Sequence, residues 1–234
     1  MEDSMFTFKQ FKVRHGKSSM KVGVDAVLLG AWAGESAREI LDIGTGCGVV
    51  ALILAQRFPD ALIEGVDIDC QSIEEASINF KESPWSERLD AFKKAFPFIE
   101  DDKKYDLIVS NPPYFNSGLK NPSTQREKAR HQDRLTVFTL IENCGDLLTD
   151  NGRLSMIFPI EFYQEAVARG LEKGLFPIRE CFIKDREGSK EKRVLLELGR
   201  ARNEDYREKI ILFTENREPT KEYRKLCKDL YLKF

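Results

Sequence analysis

Histidine is scarce: His15 and His131 are the only two in 234 residues. A histidine-based nucleophile relay, or a zinc centre built on imidazoles, therefore has little to work with. Cysteine offers no substitute. Cys47, Cys70, Cys144, Cys181 and Cys227 are odd in number, scattered, and never spaced as CxxC or beside a histidine at ligand spacing. They read as reduced thiols, and no metal is expected. No apolar run approaches the ~18–20 residues of a membrane span. The start, MEDSMFTFKQ, lacks the basic opening and continuous apolar stretch of a signal peptide. The expectation is a cytoplasmic protein with no membrane partner.

What is present is a chain of ordinary composition, 41% hydrophobic and 32% charged. Its length suits one well-buried α/β domain and is too short for two. Charge is unevenly spread behind a net −2. Residues 35–110 carry eight bases against sixteen acids, whereas 1–22 and 116–134 each carry five Lys or Arg against two acids, and 179–234 carry sixteen against twelve. An acidic body with basic arms suits a domain that meets a polyanion at its rim.

Short β-branched runs alternate with helical patterns. EILDI (39–43), LIEGVD (62–67), YDLIVS (105–110), RLSMIF (153–158), IRECFIK (178–184) and RVLLELG (193–199) predict strands, with a weaker one near 88–92. Helices are expected at about 49–57, 70–81, 133–148 and 161–173. The rhythm predicts a mostly parallel sheet covered on both faces, whose ligands bind beyond the carboxyl ends of the strands. VGVDAVLLGAWA (22–33) reads as a helix packed over that edge. A further strand at KIILF (209–213) and a tail helix over 221–234 are expected after Gly199. No linker divides the chain, so 1–234 is taken as one domain: a segment 1–34, a core 35–200 and an extension 201–234.

The first strand runs into Asp42-Ile43-Gly44-Thr45-Gly46-Cys47-Gly48 and then a helix. Glycines allow a sharp turn and close approach of backbone N–H groups to a ligand. The spacing is neither that of the nucleotide-phosphate loop nor the strict GxGxxG form. An acid opening the loop fits poorly against a pyrophosphate and well against the ammonium of a methionine moiety. The second strand ends in Asp67-Ile68-Asp69. Asp67 is placed to accept from both hydroxyls of a ribose, and Ile68 to pack against its adenine. With Gly44, Thr45 and Gly46, these residues make the chain resemble the class I methyltransferases that use S-adenosylmethionine.

After the fourth of these elements comes Asn111-Pro112-Pro113-Tyr114. Prolines offer carbonyl acceptors on a stiff edge without competing N–H donors. A conjugated amino group is a weak nucleophile with two N–H donors. If the Asn111 side chain and the Pro112 carbonyl accept them, the charge developing on nitrogen is stabilised, while Tyr114 stacks on the base. The motif leaves open adenine N6, guanine N2 or a glutamine amide.

The opening Phe6–Phe11 and Met20–Asp25, SPWSERL (83–89), NPPYF and Gln125–Arg130 are similar to bacterial tRNA-Val adenine-37 N6-methyltransferases. The resemblance implies a seven-stranded Rossmann-like fold and methylation of an adenine beside the anticodon, with tRNA as partner. A monomer is favoured. Asp25 is counted among the cofactor residues, and Asn111 serves both cofactor and substrate. Lys120, Arg126, Lys128, Arg130 and Arg134 are the expected RNA contacts. One departure stands out: where the family often carries an acid near the end of the third strand, this chain has Ala95, so either a later acid or the backbone holds the cofactor's adenine amine. The alternatives are a glutamine methyltransferase of the release-factor type, which has a helical domain ahead of the glycine loop, a guanine N2-methyltransferase on rRNA, and an inactive RNA-binding adaptor.

Overall fold

The structure is a computed structural model that describes residues 4–18, 21–99, 103–113, 135–201 and 207–234. A two-stranded hairpin, β1 (Met5–Thr7) and β2 (Lys12–Arg14), leads into α1 (Val24–Trp32). The core follows as β3 (Glu39–Ile43), α2 (Val49–Arg57), β4 (Leu62–Asp67), α3 (Cys70–Glu82), β5 (Leu89–Lys93), β6 (Tyr105–Ser110), α4 (Val137–Asn143), β7 (Leu148–Pro159), α5 (Tyr163–Glu172), β8 (Phe176–Arg186) and β9 (Glu191–Gly199). It ends with β10 (Arg207–Phe213) and α6 (Lys221–Cys227).

The main sheet has the order β10-β8-β9-β7-β6-β3-β4-β5, with β9 antiparallel to both neighbours. Strand periodicity divides its apolar residues between two cores. Ile40, Leu107, Val109, Ile157 and Leu195 face α1, α2, α3 and α6, while Leu41, Ile43, Ile108, Met156 and Leu196 face α4 and α5. Burial on both sides explains why these strands read as nearly continuous apolar runs.

Four expectations need correction. The sheet has eight strands, not seven: β10 adds in parallel to the outer edge of β8, where Ile210 and Leu212 join the core beside Tyr223 of α6. The helix expected over 133–148 is α4 alone, after which a short 3-10 turn at Gly145–Leu147 leads into β7, which begins at Leu148. The tail helix stops at Cys227. α1 is apolar on all sides, with Ala26 to Trp32 buried, and packs between α2 and α6 with its first turn at the binding edge rather than across it.

From β3 the chain progresses outward through β4 to β5, then returns to start β6 on the other side of β3. The carboxyl ends of β3 and β6 therefore form the switch point of the sheet, where open α/β folds bind ligands. The glycine loop leaves one of these strands and Asn111 leaves the other.

Candidate methyl-transfer site

The loop after β3 is built by three left-handed glycines, Gly44, Gly46 and Gly48, at φ of 73°, 55° and 81°. A Cβ at Gly48 would lie 2.4 Å from the Phe80 ring, so no other residue fits there; at Gly46 it would meet nothing within 4 Å. Gly46 thus faces open space where a ligand can approach the backbone. The amides of Gly44 and Thr45 donate to the Val66 carbonyl at 2.8 and 3.0 Å, pinning the loop to the end of β4.

Asp42 is buried, and its Oδ2 accepts the Thr45 hydroxyl at 2.7 Å. Burial pushes its carboxyl up to about 7, further than the hydrogen bonds from Thr45 and the Ala51 backbone can hold it down, and the nearby Asp67 charge adds to the rise. A carboxyl in this state is poised to ionise against a bound cation. Asp67 is half-buried, and its two oxygens accept the Gly46 and Asp69 amides at 3.0 Å each, which fixes the carboxylate and leaves lone pairs for further donors. Asp69 caps α3 through the Ser72 amide and hydroxyl at 2.9 and 2.8 Å, and these bonds hold its carboxyl below the usual range. Ile68 stands two-thirds exposed between the two acids.

At the end of β6, Ser110 is buried and donates from Oγ to the Ile43 carbonyl at 2.7 Å. That bond ties β6 to the end of β3, so Asn111 emerges beside the glycine loop. A cavity of about 410 Å³ joins Asp25, Asp42, Gly44, Thr45, Gly46 and Asn111, a size suited to a nucleoside-like ligand. Pro112 is buried and Pro113 half-buried, neither lining this space; Asp67 borders it through its bond to the Gly46 amide, and Ile68 does not line it. Tyr114, Lys120, Arg126, Lys128, Arg130 and Arg134 lie outside the described residues. In the stretch 95–99 no acid replaces the missing one at Ala95; Glu100, Asp101 and Asp102 lie outside the described residues.

The cavity also contains a residue not expected from the sequence. Arg193, at the start of β9, lines it and donates to Asp25 at 2.7 Å and to Asp185. Asp25 therefore reaches a ligand only as a carboxylate shared with an arginine. Two further side chains, both in α3, hold the site from behind. Glu75 accepts the amides of Gly16, Lys17 and Ser18 at 2.7, 2.9 and 2.8 Å. Its burial would raise the carboxyl, but those amides outweigh it and bring it below the ordinary range. Asn79 accepts the Arg14 amide at 2.8 Å and donates to the carbonyls of Arg14 and Cys47 at 2.9 and 2.8 Å. One buried amide thus connects the amino-terminal hairpin to the glycine loop. The spacing i, i+4 would have been the sequence signal, but it is shared by any solvated helix face.

Among the described residues, no group of three or more His, Cys, Asp or Glu is arranged to hold a metal ion, and no helix is long and apolar enough to cross a membrane.

The family model for the methyltransferase small domain matches residues 21–173. Among solved structures, a predicted O-methyltransferase from Agrobacterium tumefaciens superposes with a TM-score of 0.66 at 20% identity, over 88% of this chain and 96% of its own. A ribosomal protein L11 methylase from Lactobacillus delbrueckii subsp. bulgaricus does so at 0.52 and 16%, over 76% and 77%. These likenesses establish the class I methyltransferase fold. Sequence relatives go further. The tRNA1(Val) (adenine(37)-N6)-methyltransferase of Bacteroides thetaiotaomicron is 39% identical over 99% of both chains. That of Flavobacterium psychrophilum is 41% identical over 98% of this chain and 100% of its own. Similarity at this level, end to end and through the hairpin, the glycine loop and the strands alike, means that the chain belongs to the tRNA1(Val) (adenine(37)-N6)-methyltransferase family.

Proposed function

We propose that this protein methylates the N6 of an adenine in tRNA, the adenine at position 37 beside the anticodon of valine tRNA, with S-adenosylmethionine as donor. The reading is carried by one juxtaposition: a buried carboxyl, an open glycine turn and Asn111 share a single cavity at the switch point of the sheet, in a chain whose full-length relatives carry that name.

The residues present fit such a donor. Asp42 has no cation beside it among the described residues and ionises near neutrality, so the ammonium of a methionine moiety would complete it. Gly46 leaves the space that a ligand backbone contact needs. Asp67 accepts from ribose hydroxyls while its Gly46 and Asp69 bonds keep it oriented, and Ile68 offers an apolar face to an adenine ring. When bound, S-adenosylmethionine supplies an electrophilic methyl group on a positively charged sulfur.

Asn111 Oδ1 and the Pro112 carbonyl accept the two N–H groups of the target amine, and this polarisation favours the nitrogen as it gains positive charge. Ser110, bonded to Ile43, holds both acceptors in place. Once methylated, the nitrogen is acidic enough to lose its proton without a strong base, which accounts for a site without histidine. Tyr114 stacks on the extruded base, and Lys120, Arg126, Lys128, Arg130 and Arg134 contact the RNA. The hairpin, core and carboxyl-terminal extension act as one catalytic unit in the cytoplasm.

Incubating total tRNA with labelled cofactor and analysing the nucleosides tests the proposal. N6-methyladenosine is the expected product. N2-methylguanosine, methylated protein or no product at all would overturn it.

A further inference from the structure

We infer that the β8–β9 hairpin, residues 184–193, is an arm that grips the RNA backbone beside the catalytic cavity, with Arg186 and Lys190 on phosphates. The inference rests on the tRNA reading above and adds a recognition surface to it.

Its position follows from where the β7–β9 ladder ends. The last β7–β9 pair is Pro159 with Arg193. Proline has no amide hydrogen to extend the ladder, and the chain turns away there into a short 3-10 turn at Ile160–Phe162. The hairpin runs on, with Lys184 paired to Glu191 and, on its other side, Phe213 of β10 paired to Arg186. Arg193 lines the cavity. Lys190 precedes the first residue of β9 and lies three residues from Arg193, a separation of up to roughly 10 Å at about 3.3 Å per extended residue. A cofactor in the cavity does not extend that far; the backbone flanking an extruded nucleotide does.

The charges of the arm are sorted in the same sense. Asp185 is taken by Lys192 at 2.6 Å and by Arg193, and Glu191 by Lys209 at 2.8 Å. Two of the three acids between 184 and 193 are thus neutralised at the root. Arg186 and Lys190 are exposed at the tip and form no direct ion pair among the described residues, Arg186 adding only at longer range to the field on Asp185, with Glu187 as the one remaining acid. The tip is also fixed. Gly188 turns it at φ 74°, the Ser189 hydroxyl donates to the Arg186 carbonyl at 2.7 Å, and the Glu187 amide donates to the Phe213 carbonyl at 3.1 Å. Two uncommitted cations on a stiff support, rising from the rim that carries Asn111, suit a polyanion that delivers one base to the cavity.

The test compares the parent chain with Arg186→Gln/Lys190→Gln and with Arg186→Lys/Lys190→Arg, using a valine tRNA transcript across a salt series. The glutamine variant should bind tRNA at least about fivefold more weakly near 0.1 M salt, with a log–log salt slope shallower by about one to two units. Its cofactor affinity and its turnover at saturating tRNA should match the parent's, and the charge-conserving variant should keep the parent slope. Unchanged tRNA affinity and slope would overturn the arm. So would a matching loss of cofactor affinity, which would mean that the hairpin acts through the cavity. If the parent fails to methylate tRNA adenine, the functional reading falls, whereas a slope lost in the glutamine variant would still support the arm.

Discussion

The two ends of the parallel sheet carry hollows of opposite character. At the amino ends a depression of about 620 Å³ is lined by Arg38, Arg57, Asp106 and Arg153 among others. Its chemistry is already satisfied. Arg57 donates to the carbonyls of Gly30, Ala33 and Gly34 at 2.8, 2.5 and 2.9 Å. Arg153 is paired with the buried Glu197 at 3.0 Å, and Asp106 accepts the amides of Arg38 and Glu39. The carboxyl-end cavity is smaller, yet it joins a buried acid with no cation beside it among the described residues, a glycine where an added Cβ would meet nothing within 4 Å, and Asn111. What sets it apart is a buried carboxyl and a backbone turn open to a ligand, not volume.

The comparison is sharpened most by Asn111→Ala. Turnover should fall at least about a hundredfold, as when one charge-stabilising partner is removed, with the cofactor dissociation constant nearly intact. Loss of cofactor binding with turnover preserved would make Asn111 a positioning residue instead.

Asp42→Asn should weaken cofactor binding on the order of thirtyfold, the size of a lost charge-assisted hydrogen bond. Its pH behaviour is more telling. The folded carboxyl sits at about 7 against an ordinary value of 3.8. It therefore favours the folded state fully below the ordinary value, and loses that contribution, about 4 kcal/mol, as pH rises through 7. Without cofactor, the asparagine variant should gain stability over the parent between about pH 4 and 7 in thermal denaturation, with no further gain above that. In the parent, cofactor affinity measured by calorimetry should climb across the same interval, and in the variant it should not. A flat parent profile would show that Asp42 meets no cation.

Asp67→Ala should cost about tenfold in cofactor affinity, since two ribose hydroxyls lose their acceptor. Unchanged affinity would remove Asp67 from the site. The smallest catalytic effect belongs to the other end of the sheet. Arg57→Ala should lower stability by about 1–3 kcal/mol by stranding three carbonyls, with kcat and both KM values within twofold. A folded Arg57→Ala protein with impaired kinetics would break the contrast between the two ends.

The carboxyl-end site was readable in the sequence because its parts are local. EILDI, LIEGVD and YDLIVS have the same bounds in the structure as in the sequence reading, each being a short apolar run that stops at an acid, a glycine or the Asn-Pro step. What escaped detection depends on distant partners. Arg193 finds Asp25 across 168 residues. Glu75 and Asn79 look like the polar face of a solvated helix until the hairpin, with two strands of three residues each, lies down on them. Periodicity cannot register strands that short. α1 was legible as a helix over 22–33, but with no amphipathic stripe to show which side packs where, because its residues from Ala26 to Trp32 are all buried.

The amino-terminal hairpin also ties distant parts of the chain together. Phe6 and Phe8 pack against Tyr231, with ring centroids 6.2 and 6.0 Å apart, and Lys9 donates from its amide to the Leu230 carbonyl at 2.8 Å and from Nζ to the Phe234 carbonyl at 3.1 Å. The last of these bonds spans 225 positions. The hairpin's phenylalanines are therefore covered on one side by their own neighbours and Trp85, and on the other by a ring more than two hundred positions away. The same hairpin is the segment that Asn79 joins to the glycine loop, so the carboxyl-terminal rings and the donor pocket are linked through one buried amide. Loosening the packing around Tyr231 would thus be felt behind the glycine loop, far from any residue that touches a ligand.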